Sequence, residues 1–482
     1  MATTFKPTEE QTAAVDLALE QGSLAIEALA GAGKTSTLRL ISEALGESGD
    51  RGQYMAFNRK IVDDAKGSFP WNVSCSTAHG LAMKSVGRDH AHKLNSNRMT
   101  NAQMARVLKI DRKTFLIGDG VETFTFAPAE IAGLAHRTVA KFCSTADLFP
   151  GLAHVPFQRG LDAPGSKDYP LMRELAATVA PIARVIWEDI QSTRGRMRFE
   201  HNHYLKMWQL REPRINADFV LFDEAQDANP VMMSIVEAQD HAQRIWVGDN
   251  FQRIYGWNGA VNAMQLAAVD ARARLSVSFR FGPEIAEQAN IVLARLDPSV
   301  QVEGRGKTGR VEMVEHPDVY LARTNAQVVV QALLELEQGR RPFVQGGVKD
   351  VTSFAEAAMA LMLGERTSHP ELACFKSWTA VQEYSETDDG ADLAPMVRLI
   401  DEFSPQVILE KVAQCGIEAG ADCVISTAHK SKGAEWGSVG LLEGFAEGPD
   451  AADADLRLMY VAVTRAMGTL DRSAADLEGV WS

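Results

Sequence analysis

The chain has 482 residues, 46% of them apolar and 23% charged, which is ordinary globular composition but too long for a single core. Its net charge of −14 excludes a general coating of nucleic-acid-binding charge and leaves room only for a local basic groove. The five cysteines are scattered without a Cys-x-x-Cys pair, no apolar run is long enough to span a membrane, and MATTFKPTEEQ has no apolar leader, so a reducing cytoplasm is expected, with no disulfide framework, zinc site or membrane partner.

Residues 5–19 predict a helix capped by Thr8, with Glu9 and Glu10 in its first turn. Gln11 on that helix carries an amide that can pair both edges of adenine. Leu24, Ala25 and Ile26 then run into the small-residue turn from Ala28 to Gly33, and Lys34 and Thr35 open a helical pattern. Strand, Gly-rich turn and helix in this order form a phosphate loop. The N–H groups of Ala30, Gly31, Ala32 and Gly33, with Ser36 just beyond, face an anion at the helix N-terminus. In such a loop Lys34 would reach the β- and γ-phosphates, and Thr35 would hold Mg²⁺. Ala28 stands where the general motif has Gly; a small residue still fits. Residues 54–66 read as strand into helix, with Phe57 and Asn58 at the strand's end, and residues 73–82 repeat this with Thr77 and His79.

From about Lys84 to Arg214 the alternation of strand and helix stops. The segment reads as a mostly helical insertion with two basic patches, one including Lys93 and Lys113, the other Arg198 and Lys206. On an acidic chain such clusters suggest contact with a phosphate backbone. DFVLFDEAQD (218–227) then supplies a continuous apolar run, as a buried parallel strand requires, ending in Asp223 and Glu224. Asp223 is placed to bind Mg²⁺ and Glu224 to orient and deprotonate a water. A further strand leads through Gly248 and Asp249 to Gln252, a candidate γ-phosphate sensor, and to Tyr255 and Trp257, candidate stacking platforms for bases.

The second half has its own α/β pattern. Phe279 and Arg280 end one strand, Arg323 ends another, and residues 346–422 lose the alternation and read as a smaller insertion. DCVISTAHKSKGAEW (422–436) returns to the sheet, and RLMYVAVTRAMGTL (457–470) carries Thr464 and Arg465 on a helix into a last strand.

FKPTEEQ, AGAGKTS, AFNRK, STAHGLA, LFDEAQD, VGDNFQRIYGWNGA, VSFRF, LARTNA, STAHKSKGAEW and YVAVTRA, in this order from residue 5 to residue 466, resemble the UvrD/Rep-like superfamily 1 helicases. HNHYLKMWQL (201–210) and the short second insertion are most similar to the F-box DNA helicase branch, although no stretch reads as an F-box. The resemblance implies an α/β fold of two RecA-like parallel-sheet domains with mainly helical insertions and ATP between them. The expected division is 1–84 with 205–270, an insertion at 85–204, a second domain of 271–345 with 423–482, and an insertion at 346–422.

It further implies that Phe279 stacks on adenine, Glu435 touches the ribose, Gln252 contacts the γ-phosphate, and Arg280 and Arg465 act as arginine fingers. Phe57 with Asn58, His79, Tyr255, Trp257, Thr427 and His429 would line a single-strand track, walked 3′→5′. Expected partners are single-stranded DNA, single/double-strand junctions, and single-strand-binding or replication proteins, with the enzyme a monomer. A translocase that strips proteins from DNA with little unwinding is the alternative. An NTP-gated switch fits less well, because both finger arginines come from this chain.

Overall fold

The computed structural model describes residues 6–56, 59–94, 99–117, 122–254, 263–445 and 451–475. Two six-stranded parallel sheets dominate it. The first contains β1 (Leu24–Ala28), β2 (Gly52–Ala56), β3 (Val73–Thr77), β4 (Phe219–Phe222), β5 (Gln243–Gly248) and β6 (Ala271–Leu275), in the order β3-β2-β4-β5-β1-β6. The second contains β7 (Arg310–Val311), β8 (Val319–Ala322), β9 (Pro342–Val344), β10 (Cys423–Thr427), β11 (Trp436–Leu441) and β12 (Ala466–Asp471), in the order β7-β12-β11-β8-β10-β9.

The apolar run in β4 is continuous because both faces of its sheet are covered. Phe219 and Leu221 join Leu24, Ile26 and Ile245 under the helices Glu9–Leu19 and Lys34–Glu47. Val220 and Phe222 point the other way, into one core with Trp246 and the first insertion. The insertion is thus fused to the back of the sheet. Two boundaries differ from expectation. β6 pairs along β1, so the first sheet extends past residue 270. Residues 204 and 205 lie inside the helix His201–Gln209, whose Tyr204, Leu205 and Trp208 share the insertion's core.

The insertion is also less purely helical than its sequence suggests. Lys113–Ile117 and Glu122–Phe126 form an antiparallel hairpin. Phe115, Phe124 and Phe126 alternate with Thr114 and Thr125, sending the rings into the core and pairing the hydroxyls at 2.9 Å.

Two cations assigned to basic patches are interior. Lys93 donates to the carbonyls of Ile190 and Ser192 at 3.0 and 2.9 Å. Lys206, fully buried, donates to Thr145 O and Asp147 O, and burial pulls its ammonium down to about 8. Neither can meet a phosphate backbone; each ties off carbonyls that would otherwise be unpaired. Lys113 pairs with Glu174 at 2.6 Å. In the second insertion, the helices Lys349–Met362, Trp378–Ser385, Ala394–Phe403 and Pro405–Val412 pack one core against the helix Asn325–Glu337. The described cysteines are all free thiols, and no helix among the described residues is long and apolar enough to cross a membrane.

Candidate active site

The phosphate loop and the two aspartates of the site stand at the C-terminal edge of the first sheet. The phosphate loop leaves β1, Asp223 follows β4 and Asp249 follows β5. Gly31 and Gly33 take φ of 72° and 78°, the left-handed region where only glycine is unstrained. Gly31 is also pressed by the second half of the chain: its carbonyl accepts the Phe279 amide at 2.9 Å, and a β-carbon there would stand 2.5 Å from Ser278 Oγ and 2.6 Å from Arg280 Cβ. Gly31→Ala is therefore expected to cost about 1–3 kcal/mol of loop strain, read as weaker nucleotide binding in a titration with a fluorescent ADP.

Lys34 Nζ lies 2.8 Å from Glu224, itself in the left-handed region with φ 55°. Tyr54 donates to Asp223 Oδ2 at 2.7 Å, and the Glu224 amide donates to Asp223 Oδ1 at 2.9 Å. Gln226 bridges two strands, donating to Glu224 through Nε2 and accepting the Asp249 amide at 3.0 Å through Oε1. Asp227 pairs with Lys432 of the second domain at 2.7 Å.

Four carboxylates therefore crowd against two lysines. Burial pushes Asp223, Asp227 and Asp249 each up to about 6. Burial also raises Glu224, but Lys34 and Lys432 outweigh it and hold the carboxyl well below the usual range. Such an excess of buried negative charge, beside an exposed Thr35, suits a divalent cation. Asp223 and Thr35 are the side chains that would hold Mg²⁺.

The second domain closes the site from the other side. Arg465 is 1% exposed, donating to Val461 O at 2.9 Å, Ala434 O at 3.2 Å and Gln252 Oε1 at 3.0 Å. Burial, then Arg280, lowers its guanidinium to about 9. Gln252 donates in turn to Asp249 Oδ2 at 2.7 Å, and its carbonyl accepts Lys432 at 2.6 Å. Arg280 donates to Glu435 at 2.8 Å and to Thr464 O at 2.9 Å. Tyr460 Oη accepts the Ala30 amide at 3.1 Å, and Arg457 donates to Asn250 O at 2.6 Å. Tyr54, Gln226, Asp227, Lys432, Arg457 and Tyr460 were not singled out from sequence; DEAQD and HKSKG held three of them in plain view.

Beside the loop, Gln11 is buried. Its Oε1 accepts the Thr8 amide at 3.0 Å and its Nε2 donates to Thr37 Oγ1 at 3.2 Å. A β-carbon on Gly33 would meet Gln11 Nε2 at 3.0 Å and the Phe279 ring at 4.0 Å, so Gln11 and Phe279 flank one space. Phe279 is 45% exposed, which leaves a ring face open for stacking. Removing it with Phe279→Ala should weaken nucleotide binding by about 1–3 kcal/mol, roughly ten- to hundredfold in Kd.

The track residues are less evenly placed. His79, half-buried, pairs with Asn202 Oδ1 at 3.0 Å, and burial lowers its imidazole. His429 is half-buried beside the Ile254 backbone and is likewise lowered by burial. Thr427 is buried, its hydroxyl accepting the Lys430 amide at 3.3 Å, so it supports the turn rather than facing solvent. Phe57, Asn58, Tyr255 and Trp257 lie outside the described residues.

One other cluster has metal-ligand chemistry. His136, Glu200 and His203 bring three ligand atoms within 4.8 Å of one another. His203 Nδ1, however, accepts the Glu200 amide at 2.9 Å, which puts the ring proton on Nε2. The ring then packs edge-on against Trp187 and Phe199, a structural arrangement.

Comparison with known proteins agrees with this geometry. An AAA domain model matches residues 11–258, more than half the chain, and a UvrD-like helicase C-terminal domain model matches residues 422–470. F-box DNA helicase protein 1 of Schizosaccharomyces pombe is 28% identical over 514 residues, covering 95% of this chain and 56% of that protein. F-box DNA helicase 1 of Gallus gallus is 27% identical over 507 residues, covering 96% of this chain and 48% of that protein. The chain spans about half the length of the curated relatives it matches. With a phosphate loop and DEAQD on one parallel sheet and Arg280 and Arg465 facing it from the second half of the chain, the chain belongs to the UvrD/Rep-like superfamily 1 helicases and is related to the F-box DNA helicases.

Proposed function

We propose that the chain is an ATP-dependent DNA helicase that moves 3′→5′ along a single strand and opens duplex at single/double-strand junctions. One observation carries the reading. Lys34, Asp223 and Glu224 from the first sheet meet Arg280 and Arg465 from the second domain, with Gln252 bonded to both sides. The names of the two relatives, both DNA helicases, support the choice of DNA.

The chemistry follows from charge exchange within the cleft. Lys34 leaves Glu224 for the β- and γ-phosphates. Glu224, no longer neutralised, gains proton affinity and takes a proton from the attacking water. Gln226 keeps its carboxylate aimed during the exchange. Mg²⁺, held by Asp223 and Thr35, would supply charge neutralisation on the phosphates. Arg280 and Arg465 stabilise charge that builds on the phosphoryl group as it transfers. Once that charge has gone, the ties from Gln252, Asp227, Asn250 and Ala30 to the second domain still hold the cleft closed. Opening and closing of those ties steps the two domains along the strand.

Tailed duplexes test this directly. Duplex with a 3′ single-stranded tail should be opened with ATP, and duplex with a 5′ tail should not. DNA-stimulated hydrolysis with neither substrate opened would replace unwinding by protein stripping.

A further inference from the structure

We propose that Tyr54 is the positioning residue for the metal-binding carboxylate, so that nucleotide-dependent divalent-cation affinity depends on its phenol. The inference rests on the nucleotide site proposed above and adds to it a residue outside every motif quoted for the family.

Tyr54 lies on β2, is fully buried, and packs its ring against Phe69 with centroids 4.8 Å apart and the planes tilted by 42°. Its hydroxyl has one protein partner of note, Asp223 Oδ2 at 2.7 Å. The same strand grips Asp223 a second time, because the Asp223 amide donates to Met55 O at 2.9 Å. Side chain and main chain of one rigid strand thus fix both position and rotation of the carboxylate. With the Glu224 amide on Oδ1, each carboxylate oxygen has one donor from the protein and keeps a lone pair for an incoming cation. A phenol this deeply buried beside carboxylates keeps its proton, so it acts as a donor throughout. Partners that orient a metal-binding group in this way typically matter ten- to hundredfold in metal affinity.

The test is Tyr54→Phe in the full chain, which keeps the ring and its packing against Phe69 and removes only the oxygen. Mn²⁺ binding is measured by electron paramagnetic resonance in the presence of ADP. Affinity for a fluorescent ADP is measured in chelator and in Mg²⁺. The expected result is Mn²⁺ affinity lowered about ten- to hundredfold, Mg²⁺-supported ADP binding weakened in step, and ADP binding in chelator unchanged. A lowered Tm with wild-type Mn²⁺ affinity would overturn the proposal and leave Tyr54 a packing residue. If the wild type itself shows no nucleotide-dependent Mn²⁺ binding, the nucleotide site fails instead. Asp223→Asn serves as the reference for complete loss of the cation. If Tyr54→Phe does not fold, Phe69→Leu, which loosens the packing of the ring and keeps the hydroxyl on Asp223, should lower Tm while leaving Mn²⁺ affinity at the wild-type level, and Mn²⁺ affinity lost in step with Tm there overturns the proposal.

Discussion

Glu224→Gln will bind ATP and fail to hydrolyse it. The amide keeps the size of the carboxylate and can still meet Gln226, but it cannot accept a proton, so turnover should fall roughly 10²–10⁴-fold. The left-handed φ of 55° at this position is tolerated only because Asp223 Oδ1 and Gln226 hold the turn, and Gln replaces Glu there without adding bulk. Lys34→Ala should stop turnover by the opposite route. It removes the partner that holds Glu224 low and the cation that meets the phosphates, so ATP affinity falls along with rate. Equilibrium binding of a fluorescent ATP analogue, read beside steady-state hydrolysis, separates the two. Hydrolysis retained by either variant removes the assigned chemistry.

Arg465→Ala should have an effect of similar size, on the order of 10³–10⁵ in rate, with nucleotide binding largely kept. Hydrogen bonds to Val461 O, Ala434 O, Gln252 Oε1 and Thr464 Oγ1 hold the guanidinium in place beside Gln252 before nucleotide arrives. That preorganisation is what makes a finger effective. The side chain is also buried, and its removal leaves Ala434 O and Gln252 Oε1 without the guanidinium's donors. Arg465→Lys distinguishes the roles, since it restores a cation but not the planar fork. A finger predicts that kcat stays low in Arg465→Lys while Tm recovers. Recovery of kcat together with Tm would make Arg465 only a tie between the domains.

The site was legible where its chemistry is local in sequence. A phosphate loop needs a strand, small residues, Lys and Thr within about a dozen positions, and residues 24–36 supply them in one stretch. DFVLFDEAQD announces a buried strand and its carboxylates in the same way. Apart from Gln226, two residues from Glu224, what the sequence hides is non-local. Tyr54 reaches Asp223 across 169 residues, and Lys432 reaches Asp227 across 205, and neither pairing leaves a periodic trace. The hairpin at Lys113–Ile117 was hidden because its aromatic alternation is short and sits between helices. Lys93 and Lys206 looked like surface cations because charge alone does not reveal a cage of carbonyls. β6 follows residue 270 yet joins the first sheet, because sequence order does not say which sheet edge a strand joins.

The central claim is a nucleotide engine driven by DNA, and ATP hydrolysis with and without single-stranded DNA tests it most directly. Strong stimulation by single strands in the wild type, absent in Lys34→Ala, is the predicted result. Hydrolysis at the same rate with or without DNA would contradict it, leaving a nucleotide site with no track.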